Sequence, residues 1–377
     1  MGKPKIACIV GTRPDAIKSA PVVRELRRFG DQVDTVLIST GQHREMLTQA
    51  LDAFDLKADH DLDIMTLGQS LAQVTTRALE GIDRILDEIQ PAWVVAQGDT
   101  TTTFVAALAA FYRRIPFAHV EAGLRTASIH EPFPEEFNRR AVAQLSTLHF
   151  APTERSAKNL LLTHTDPETI FVTGNTGIDA VEYVAKKVQD APYADHPGRV
   201  VLVTTHRREN WGEPQQRIAE TCLKLVEEFP DILLVVAMHK NPLVRATLKE
   251  VLDGKDRVRL IEPPDYAPFV KLMQRSSLIL SDSGGVQEEA PSFGIPVLVL
   301  RDSTERPEGV EAGVAKLVGT NPEMILGTAR PLLQNVDAYR SMAQARSPYG
   351  DGRASERIRY QLLKRLGVES PVEPLWT

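Results

Sequence analysis

Three stretches of the sequence place acidic residues after apolar segments or at the start of a helix-like segment. GDTTTT carries Asp99, HVEAGLRT carries Glu121 and PFPEEFNRR carries Glu135. Asp99 alone could cap a helix, and Glu135 alone could complement a helix dipole. However, burying an unpaired carboxylate at the end of an apolar run is energetically costly. Three acids at one edge of a domain therefore favour a function in proton transfer. We therefore interpret these three residues as candidate acid/base groups.

Basic residues lie beside another expected helix start. GTRPDAIKSAP follows the first apolar segment. Pro14 suits the first turn of a helix, where proline is common, and Arg13 and Lys18 lie on either side of that start. Backbone N–H groups at a helix start favour anions, so the stretch suits a phosphate group, the alternative being a solvated basic surface. It matches neither GxGxxG nor a P-loop, so it indicates neither NAD nor ATP.

Two histidines also follow apolar segments. THRREN places His206 among charged residues, which favours a functional role over a structural one. His239, in MHKNP, follows the next apolar segment and could be either a ligand-binding or a structural residue.

The stretch SDSGGVQEEAPSFGIP combines small residues with acids. Ser283 is a plausible helix N-cap, and Gly284 and Gly285 expose backbone N–H groups that can hold a diphosphate. Glu288 or Glu289, one turn further, could accept hydrogen bonds from the hydroxyls of a neighbouring sugar. We therefore predict that this turn binds the phosphates of a sugar nucleotide and that an acid beyond it binds the ribose. RDSTERPEG adds Thr304 and Arg306 after the next apolar segment.

These residues need a scaffold that brings strand ends together. Short segments that are apolar on both faces alternate with helix-like segments, which predicts an α/β fold with parallel sheets. The expected strands are 5–10, 33–39, 92–97, 117–122 and 169–174, and then 199–205, 232–238, 257–262, 277–282 and 296–300. Ligands of open parallel sheets bind beyond the carboxyl ends of the strands, where the residues above lie.

The polar stretch 187–198, rich in Pro, Asp and Gly, separates the two sets of strands. We therefore predict two doubly wound, Rossmann-like domains, 1–190 with the carboxylates and 191–353 with the nucleotide-binding turn. The last segment, 354–377, is expected to form a helix that could pack back on the N-terminal domain.

Composition excludes several classes of protein. The chain has 377 residues and a formal net charge of −6, so no overall basic character recruits nucleic acid or an anionic membrane. Two cysteines far apart form neither a disulfide framework nor a zinc site. No signal peptide and no apolar stretch of membrane-spanning length are recognised. We expect a cytoplasmic enzyme or binding protein.

In order along nearly the whole chain, these motifs resemble those of the non-hydrolysing UDP-N-acetylglucosamine (UDP-GlcNAc) 2-epimerases. The matching stretches are GTRPDAIKSAPV, GQH, GDTTTT, HVEAGLRT, PFPEEFNRR, GNTGID, THRREN, HKNP and SDSGGVQEEAPSFGIPVLVLRDSTERPE. The resemblance implies two Rossmann-like domains facing a cleft, similar to the GT-B glycosyltransferase fold. It also implies a cytoplasmic homodimer that needs no NAD, no other cofactor and no metal.

The resemblance further implies a reaction and residue roles. UDP leaves carbon 1 of UDP-GlcNAc as hydrogen leaves carbon 2, and UDP re-adds to 2-acetamidoglucal to give UDP-N-acetylmannosamine (UDP-ManNAc) for polysaccharide synthesis. Asp99, Glu121, Glu135 and His206 match the family's catalytic residues. Its substrate-binding residues match Arg13, Lys18, Arg139, Ser283, Gly284, Gly285, Glu289 and Arg306.

Several bacterial relatives bind a second UDP-GlcNAc as an activator, and the matching positions here are mixed. The positions that fit are Gln42, His43, Arg207 and His239. Glu45 stands where Gln is common and Gln69 where Arg is common, and a carboxylate facing a diphosphate repels it. We expect weak or absent substrate activation.

Three other functions compete with this interpretation. A hydrolysing 2-epimerase would release N-acetylmannosamine and UDP from the same fold. A GT-B glycosyltransferase would usually have fewer acids in its cleft. A sugar-nucleotide sensor would not need the candidate acid/base residues together.

Overall fold

The computed structural model describes residues 2–41, 44–66 and 68–376. The chain divides into two compact units. Unit 1 comprises Met1–Ala180 and Tyr349–Thr377, and unit 2 comprises Val181–Pro348. The chain thus leaves unit 1, forms unit 2 and returns, so the C-terminal segment belongs to unit 1.

Unit 1 contains a sheet in which, over the described ranges, seven strands pair in parallel in the order β3-β2-β1-β4-β5-β6-β7. The strands are β1 (Lys5–Val10), β2 (Asp34–Ser39), β3 (His60–Asp61), β4 (Trp93–Gln97), β5 (Phe117–Val120), β6 (Leu148–Ala151) and β7 (Ile170–Val172). The central strands β4, β5 and β6 are buried at every position, as a sheet covered by helices on both faces requires.

The helices of unit 1 connect these strands. They are α1 (Arg13–Arg27), α2 (Arg44–Asp52), α3 (Leu71–Ile89), α4 (Thr101–Tyr112), α5 (Glu135–Leu145), α6 (Glu154–Leu162) and α7 (Thr176–Lys187), with a 3-10 turn at Pro167–Thr169. Helix α7 starts in unit 1 and continues past the boundary of unit 2.

Unit 2 repeats the pattern with six described strands in the order β10-β9-β8-β11-β12-β13, all parallel. The strands are β8 (Arg199–Thr205), β9 (Ile232–Met238), β10 (Val258–Ile261), β11 (Leu278–Ser281), β12 (Val297–Val299) and β13 (Ala315–Leu317). The helices are α8 (Glu213–Glu228), α9 (Pro242–Leu252), α10 (Tyr266–Arg275), α11 (Gly284–Glu289), α12 (Pro307–Glu311), α13 (Pro322–Gln334) and α14 (Val336–Ala343), with 3-10 turns at Arg208–Asn210 and Ala290–Phe293.

Both sheets confirm the predicted doubly wound α/β class. In each, the strand order reverses beside the first strand, between β1 and β4 in unit 1 and between β8 and β11 in unit 2. Ligands of such sheets bind outside the carboxyl ends of the strands at this reversal. The motifs singled out above follow β1, β4, β5, β8 and β11, so the fold places them where such ligands bind.

The last helix, α15 (Ala354–Arg365), packs against α1 within unit 1. Asp179 fixes its start, since its carboxylate accepts hydrogen bonds from the backbone of Ala354 and from the backbone and hydroxyl of Ser355. Burial raises the pKa of Asp179 to about 6, although the hydrogen bonds from Ser355 and Ala354 oppose that rise.

In the part of the chain that the structure describes, no helix is both long and apolar enough to cross a membrane. The strand prediction was incomplete. It omitted the short strands β3, β6 and β13, and it extended the strand at 169–174, of which only Ile170–Val172 is a strand.

Candidate functional site

The turn after β1 begins α1 through a capping box. The hydroxyl of Thr12 accepts the backbone N–H of Asp15, and the Asp15 carboxylate accepts that of Thr12. Pro14 lies in the first turn of the helix, as predicted from the sequence, and Arg13 is the first helical residue. Gly11 is required here, because a Cβ at this position would lie 2.0 Å from the hydroxyl of Thr102.

Glu121 follows β5 and is held by three side-chain donors. Lys18 Nζ lies 2.5 Å from Oε1, Asn175 Nδ2 donates to the same oxygen at 3.4 Å, and Gln97 Nε2 donates to Oε2. Only 7% of the Glu121 side chain is exposed. Its backbone has a φ of +63°, a left-handed conformation that is uncommon outside glycine. The three donors hold the buried carboxylate in place, and the unusual backbone conformation accompanies this cluster.

Asp99 follows β4, the strand next to β5. Its carboxylate pairs with Arg139 at 2.7 Å, and its backbone carbonyl accepts a 2.8 Å hydrogen bond from Asn138 Nδ2. Thr100, not Asp99, caps α4, since the Thr100 hydroxyl accepts the backbone N–H of Thr103. Capping of α4 therefore does not explain the presence of an acid at position 99.

A buried histidine lies beneath this loop. His119 Nε2 donates a 2.7 Å hydrogen bond to the carbonyl of Gly98, which has a φ of +81°. Burial lowers the pKa of His119 to about 4, so the ring is neutral near pH 7. The same effect lowers the pKa of His149, the neighbour of His119 across β5 and β6, to about 3. His119 supports the loop through this hydrogen bond, and both rings are neutral near pH 7.

Two adjacent acids at the start of α5 have different surroundings. Glu136 is fully buried, and its carboxylate accepts from the backbone of Thr126 and pairs with Arg139 and Arg140. Glu135 is half-buried and, among the described residues, has no side-chain hydrogen bond or ion pair. Glu136 thus maintains the local structure, whereas Glu135 is available to bind a ligand or exchange a proton.

In unit 2, His206 follows β8 and contacts an acid from the end of β11. Its Nδ1 lies 2.9 Å from Oδ1 of Asp282, a residue with no exposed surface. The His206 side chain is 41% exposed, and the centre of its ring lies 6.1 Å from that of His239. Burial and the neighbouring His206 lower the pKa of His239.

The glycine turn after β11 forms the start of the short helix α11. Ser283 occupies the N-cap position, but its side chain makes no capping hydrogen bond, which corrects the predicted cap. A Cβ on Gly284 would lie 2.5 Å from a guanidinium nitrogen of Arg306, so the glycine lets that cation lie against the turn. A Cβ on Gly285 would lie 3.8 Å from Oε1 of Glu289 and 4.0 Å from the hydroxyl of Ser283.

The two acids of α11 have different surroundings. Glu288 Oε1 lies 2.5 Å from Nε of Arg306, so Glu288 orients the guanidinium. Glu289 Oε1 lies beside Gly285, so this acid is close to the turn. The predicted cluster of Ser283, Gly284, Gly285, Glu289 and Arg306 is therefore together within unit 2.

A second ion-pair network follows β12. Arg301 pairs with Glu209 at 2.9 Å and with Glu305 at 2.7 Å, and Arg207 lies 3.7 Å from Glu305. Burial would raise the pKa of Glu305, but the hydrogen bond from Arg301 and the positive charges around it lower the value to about 2. Arg207 is thereby positioned beside His206 by an acid that stays ionised.

The positions expected to bind a second nucleotide are only partly described. Gln42 and His43 lie outside the described residues, as does the side chain of Glu45. Gln69 accepts hydrogen bonds from Arg77 and Thr66. Within residues 2–41, 44–66 and 68–376, no group of three or more His, Cys, Asp or Glu residues could hold a metal ion.

Sequence reasoning missed three polar residues that hold the candidate groups. Gln97 was included in an apolar strand, Asn175 lies in the quoted GNTGID motif, and Asp282 lies in SDSGG. Each is buried and bonded to Glu121 or His206. A buried polar residue at a strand end was the available signal.

Comparison with known proteins agrees with this geometry. The family model described as UDP-N-acetylglucosamine 2-epimerase matches residues 24–363. A curated UDP-N-acetylglucosamine 2-epimerase of Bacillus subtilis is 48% identical over 369 residues, with 97% of each chain covered. The crystal structure of the Neisseria meningitidis UDP-GlcNAc 2-epimerase bound to UDP-GlcNAc is similar with a TM-score of 0.88, at 46% identity and coverage of 96% of this chain and 100% of that one.

A more distant structure shows the fold alone. The glycotransferase of kitacinnamycin is 13% identical and similar with a TM-score of 0.64, over 97% of this chain and 99% of that one. The family resemblance found in the sequence motifs is confirmed by the family model and by the full-length relatives. The chain therefore belongs to the UDP-N-acetylglucosamine 2-epimerase family, a family of isomerases.

Proposed function

We propose that this chain interconverts UDP-GlcNAc and UDP-ManNAc without hydrolysis. UDP and the hydrogen on carbon 2 are eliminated to give 2-acetamidoglucal, and UDP then re-adds while a proton returns to the opposite face of carbon 2. The observation that carries the proposal is the set of acids in unit 1, in which Asp99 and Glu121 follow adjacent strands and Glu135 has no described partner. The relative of known structure bound to UDP-GlcNAc supports the substrate.

The chemistry explains why several acid/base groups are needed. A hydrogen on carbon 2 of the sugar is not acidic, so its removal must be coupled to departure of the diphosphate. Inversion then requires a proton to leave from one face and arrive at the other, which calls for more than one positioned group. We propose that Asp99, Glu121, Glu135 and His206 supply these groups.

The two units divide the roles. We propose that Ser283, Gly284, Gly285 and Arg306 bind the diphosphate and that Glu289 binds the ribose. Backbone N–H groups and a guanidinium fixed by Glu288 are preorganised for the negative charge that develops on the departing UDP. We assign Arg13, Lys18 and Arg139 to substrate binding, with Lys18 and Arg139 also paired to the acids Glu121 and Asp99. The product is proposed to supply cell-surface polysaccharide synthesis.

We also propose that the protein is a homodimer. Aromatic side chains are exposed on and beside α4 and α5, and they support an apolar contact with a second copy. Phe111, Tyr112, Phe133 and Phe137 are 58%, 64%, 67% and 45% exposed, and Phe137 packs edge-to-face on Phe104 at 5.5 Å. Sedimentation of the wild type and a Phe137→Glu variant tests this proposal, since a wild-type monomer would contradict it.

Substrate activation is proposed to be weak or absent. The basis is Glu45, whose negative charge disfavours a second diphosphate, together with Gln69, which lacks the guanidinium of an arginine. Turnover measured against UDP-GlcNAc concentration should follow a hyperbola. Clear sigmoidicity would contradict the proposal.

The reaction itself is tested by proton NMR of the purified enzyme with UDP-GlcNAc in heavy water. UDP-ManNAc with deuterium at carbon 2 is the expected product at equilibrium. Free N-acetylmannosamine and UDP would instead identify a hydrolysing 2-epimerase. No change in the sugar would contradict both epimerase reactions and leave a glycosyltransferase or a sensor, which a supplied acceptor sugar would distinguish.

A further inference from the structure

The carboxylate of Asp282 is surrounded by donors from the loop that carries His206. The backbone N–H groups of His206 and Arg207 lie 3.0 Å from its oxygens, and Asn210 Nδ2 donates to Oδ2 at 2.9 Å. The fourth donor is the imidazole of His206, with Nδ1 2.9 Å from Oδ1. One buried side chain at the end of β11 therefore fixes both the loop after β8 and the ring of its histidine.

The charge of Asp282 determines which nitrogen of the His206 ring carries the hydrogen. Burial raises the pKa of this carboxyl, but the hydrogen bond and charge of His206, together with the N–H groups of Arg207 and Asn210, bring it below its usual value. Asp282 is therefore ionised near pH 7 and can only accept hydrogen bonds. A ring nitrogen 2.9 Å from such an oxygen must carry a hydrogen, since two lone pairs facing each other would repel.

We propose that Asp282 is a positioning residue that keeps neutral His206 in the Nδ1–H tautomer and leaves Nε2 as the ring nitrogen that contacts the nucleotide sugar. The tautomer of an imidazole is set by the hydrogen bond of its other nitrogen, and here that bond is made to a fully buried carboxylate. Nε2 then offers a lone pair when the ring is neutral and an N–H when it is protonated. The contact with the sugar nucleotide rests on the proposed function, whereas the tautomer does not.

Asn210 connects the pair to the rest of the sheet edge. Besides its bond to Asp282, its Nδ2 donates to the carbonyl of Leu300 at 3.1 Å, and the residue is buried. If the carboxylate turned away, one buried N–H of Asn210 would lose its acceptor, which is unfavourable. This rigidity is what a group that fixes a tautomer requires.

The tautomer is measured directly by NMR of the full-length chain labelled with 15N-histidine, at a pH where the rings are neutral. A His206→Asn spectrum assigns the signals and separates them from those of His239, whose ring lies 6.1 Å away. We expect the Nδ1 of His206 to show the shift of a protonated nitrogen and Nε2 that of an unprotonated one. The reverse pattern would overturn the proposal, whether or not the protein epimerises UDP-GlcNAc.

Two substitutions then separate the two ring nitrogens. His206→Asn keeps an amide N–H near the position of Nδ1 but has nothing at Nε2, whereas His206→Gln reaches the position of Nε2 and withdraws the donor from Asp282. We expect His206→Asn to unfold at the wild-type temperature and His206→Gln to unfold at a lower one. Equal unfolding temperatures for the two variants would show that Asp282 does not depend on the Nδ1 donor.

Activity provides the other readout. Both variants should lose at least about 100-fold in kcat, as expected for removal of a proton-transfer group, with a smaller change in KM. A His206→Asn variant with nearly wild-type kcat would overturn the contact through Nε2. If the wild type shows no epimerase activity while NMR finds the Nδ1–H tautomer, the proposed function has failed and the positioning by Asp282 stands.

Discussion

The hydroxyl of Thr100 donates a 3.0 Å hydrogen bond to Oδ2 of Asp15. The same oxygen accepts the backbone N–H groups of Gly11 and Thr12 at 3.3 and 3.1 Å. A single buried carboxylate oxygen thus joins the turn after β1 to the turn after β4, which carries Asp99. These are the two strands between which the order of the sheet reverses. Asp15 therefore couples helix capping to the geometry of the candidate site.

Replacement of Asp15 by Asn should change how stability depends on pH. Burial raises the pKa of Asp15 from 3.8 to about 7, although the hydrogen bonds from Thr100 and Thr12 oppose that rise. The folded protein therefore keeps a proton that the unfolded chain releases, so this contribution to stability is fully present below pH 3.8 and is lost as the pH rises through about 7. Asp15→Asn keeps an oxygen for all three donors and cannot ionise.

The measurement is the urea midpoint of unfolding for wild type and Asp15→Asn at several pH values. The wild-type midpoint minus that of the variant should fall as the pH rises from about 4 to about 7. Asp179, whose pKa is also raised, is present in both proteins and cancels from the difference. A difference that stays constant over this range would show that Asp15 does not titrate there.

The neighbouring acids Glu135 and Glu136 form a matched pair of substitutions. Glu135→Gln should lower kcat by at least about 100-fold and leave stability near that of the wild type, because the proposed role of Glu135 is proton transfer. Glu136→Gln removes the charge that faces Arg139 and Arg140, and breaking such a buried pair costs about 3–5 kcal/mol. Turnover and urea unfolding of both variants test this division. A stable, inactive Glu136→Gln protein beside an active Glu135→Gln protein would reverse the assignment.

The sequence was sufficient to predict where the candidate groups lie. Runs that are apolar on both faces identify covered parallel strands, and the ends of such strands meet at one edge, so Asp99 and Glu121 were expected together. The short strands β6 and β13 carry weaker signals. His149 interrupts the apolar pattern of β6, and β13 has only three residues with Lys316 at its centre.

The sequence was not sufficient to predict which side chains hold those groups. Gln97 reaches Glu121 because β4 and β5 pair with Gln97 opposite Val120, a register that no local pattern specifies. Asn175 contacts Glu121 about fifty residues away in the chain, and Asp282 contacts His206 more than seventy residues away. Both contacts exist only once the sheets form. Ser283 was expected to cap α11, yet its side chain makes no capping hydrogen bond.

The contact between Gln97 and Glu121 leads to a further prediction. Gln97→Met has a similar shape but removes the donor to Oε2, whereas Lys18 and Asn175 still bind Oε1. A hydrogen bond to a charged group contributes about 1.5–3 kcal/mol, so kcat should fall about tenfold to a hundredfold. UDP affinity should change much less than kcat, because the residues proposed to bind the diphosphate and the ribose are in unit 2. Gln49→Met, at an exposed position of α2, is the control, and a kcat for Gln97→Met within about twofold of that control would remove Gln97 from the site.

The contact between Gly284 and Arg306 tests the proposed diphosphate turn. Gly284→Ala adds a Cβ that would lie 2.5 Å from the Arg306 guanidinium, which Glu288 holds in place, so the cation must move away from the turn. We expect UDP to bind about tenfold more weakly by calorimetry, which corresponds to the loss of about 1.4 kcal/mol of a charge-assisted contact. Gly327→Ala in α13 is the matched control, because its Cβ would meet nothing within 4 Å. That control should bind UDP normally and be more stable by about 0.5–1 kcal/mol, the usual gain on replacing a helical glycine. Equal UDP affinity in the two alanine variants would show that Arg306 does not contact the nucleotide at this turn.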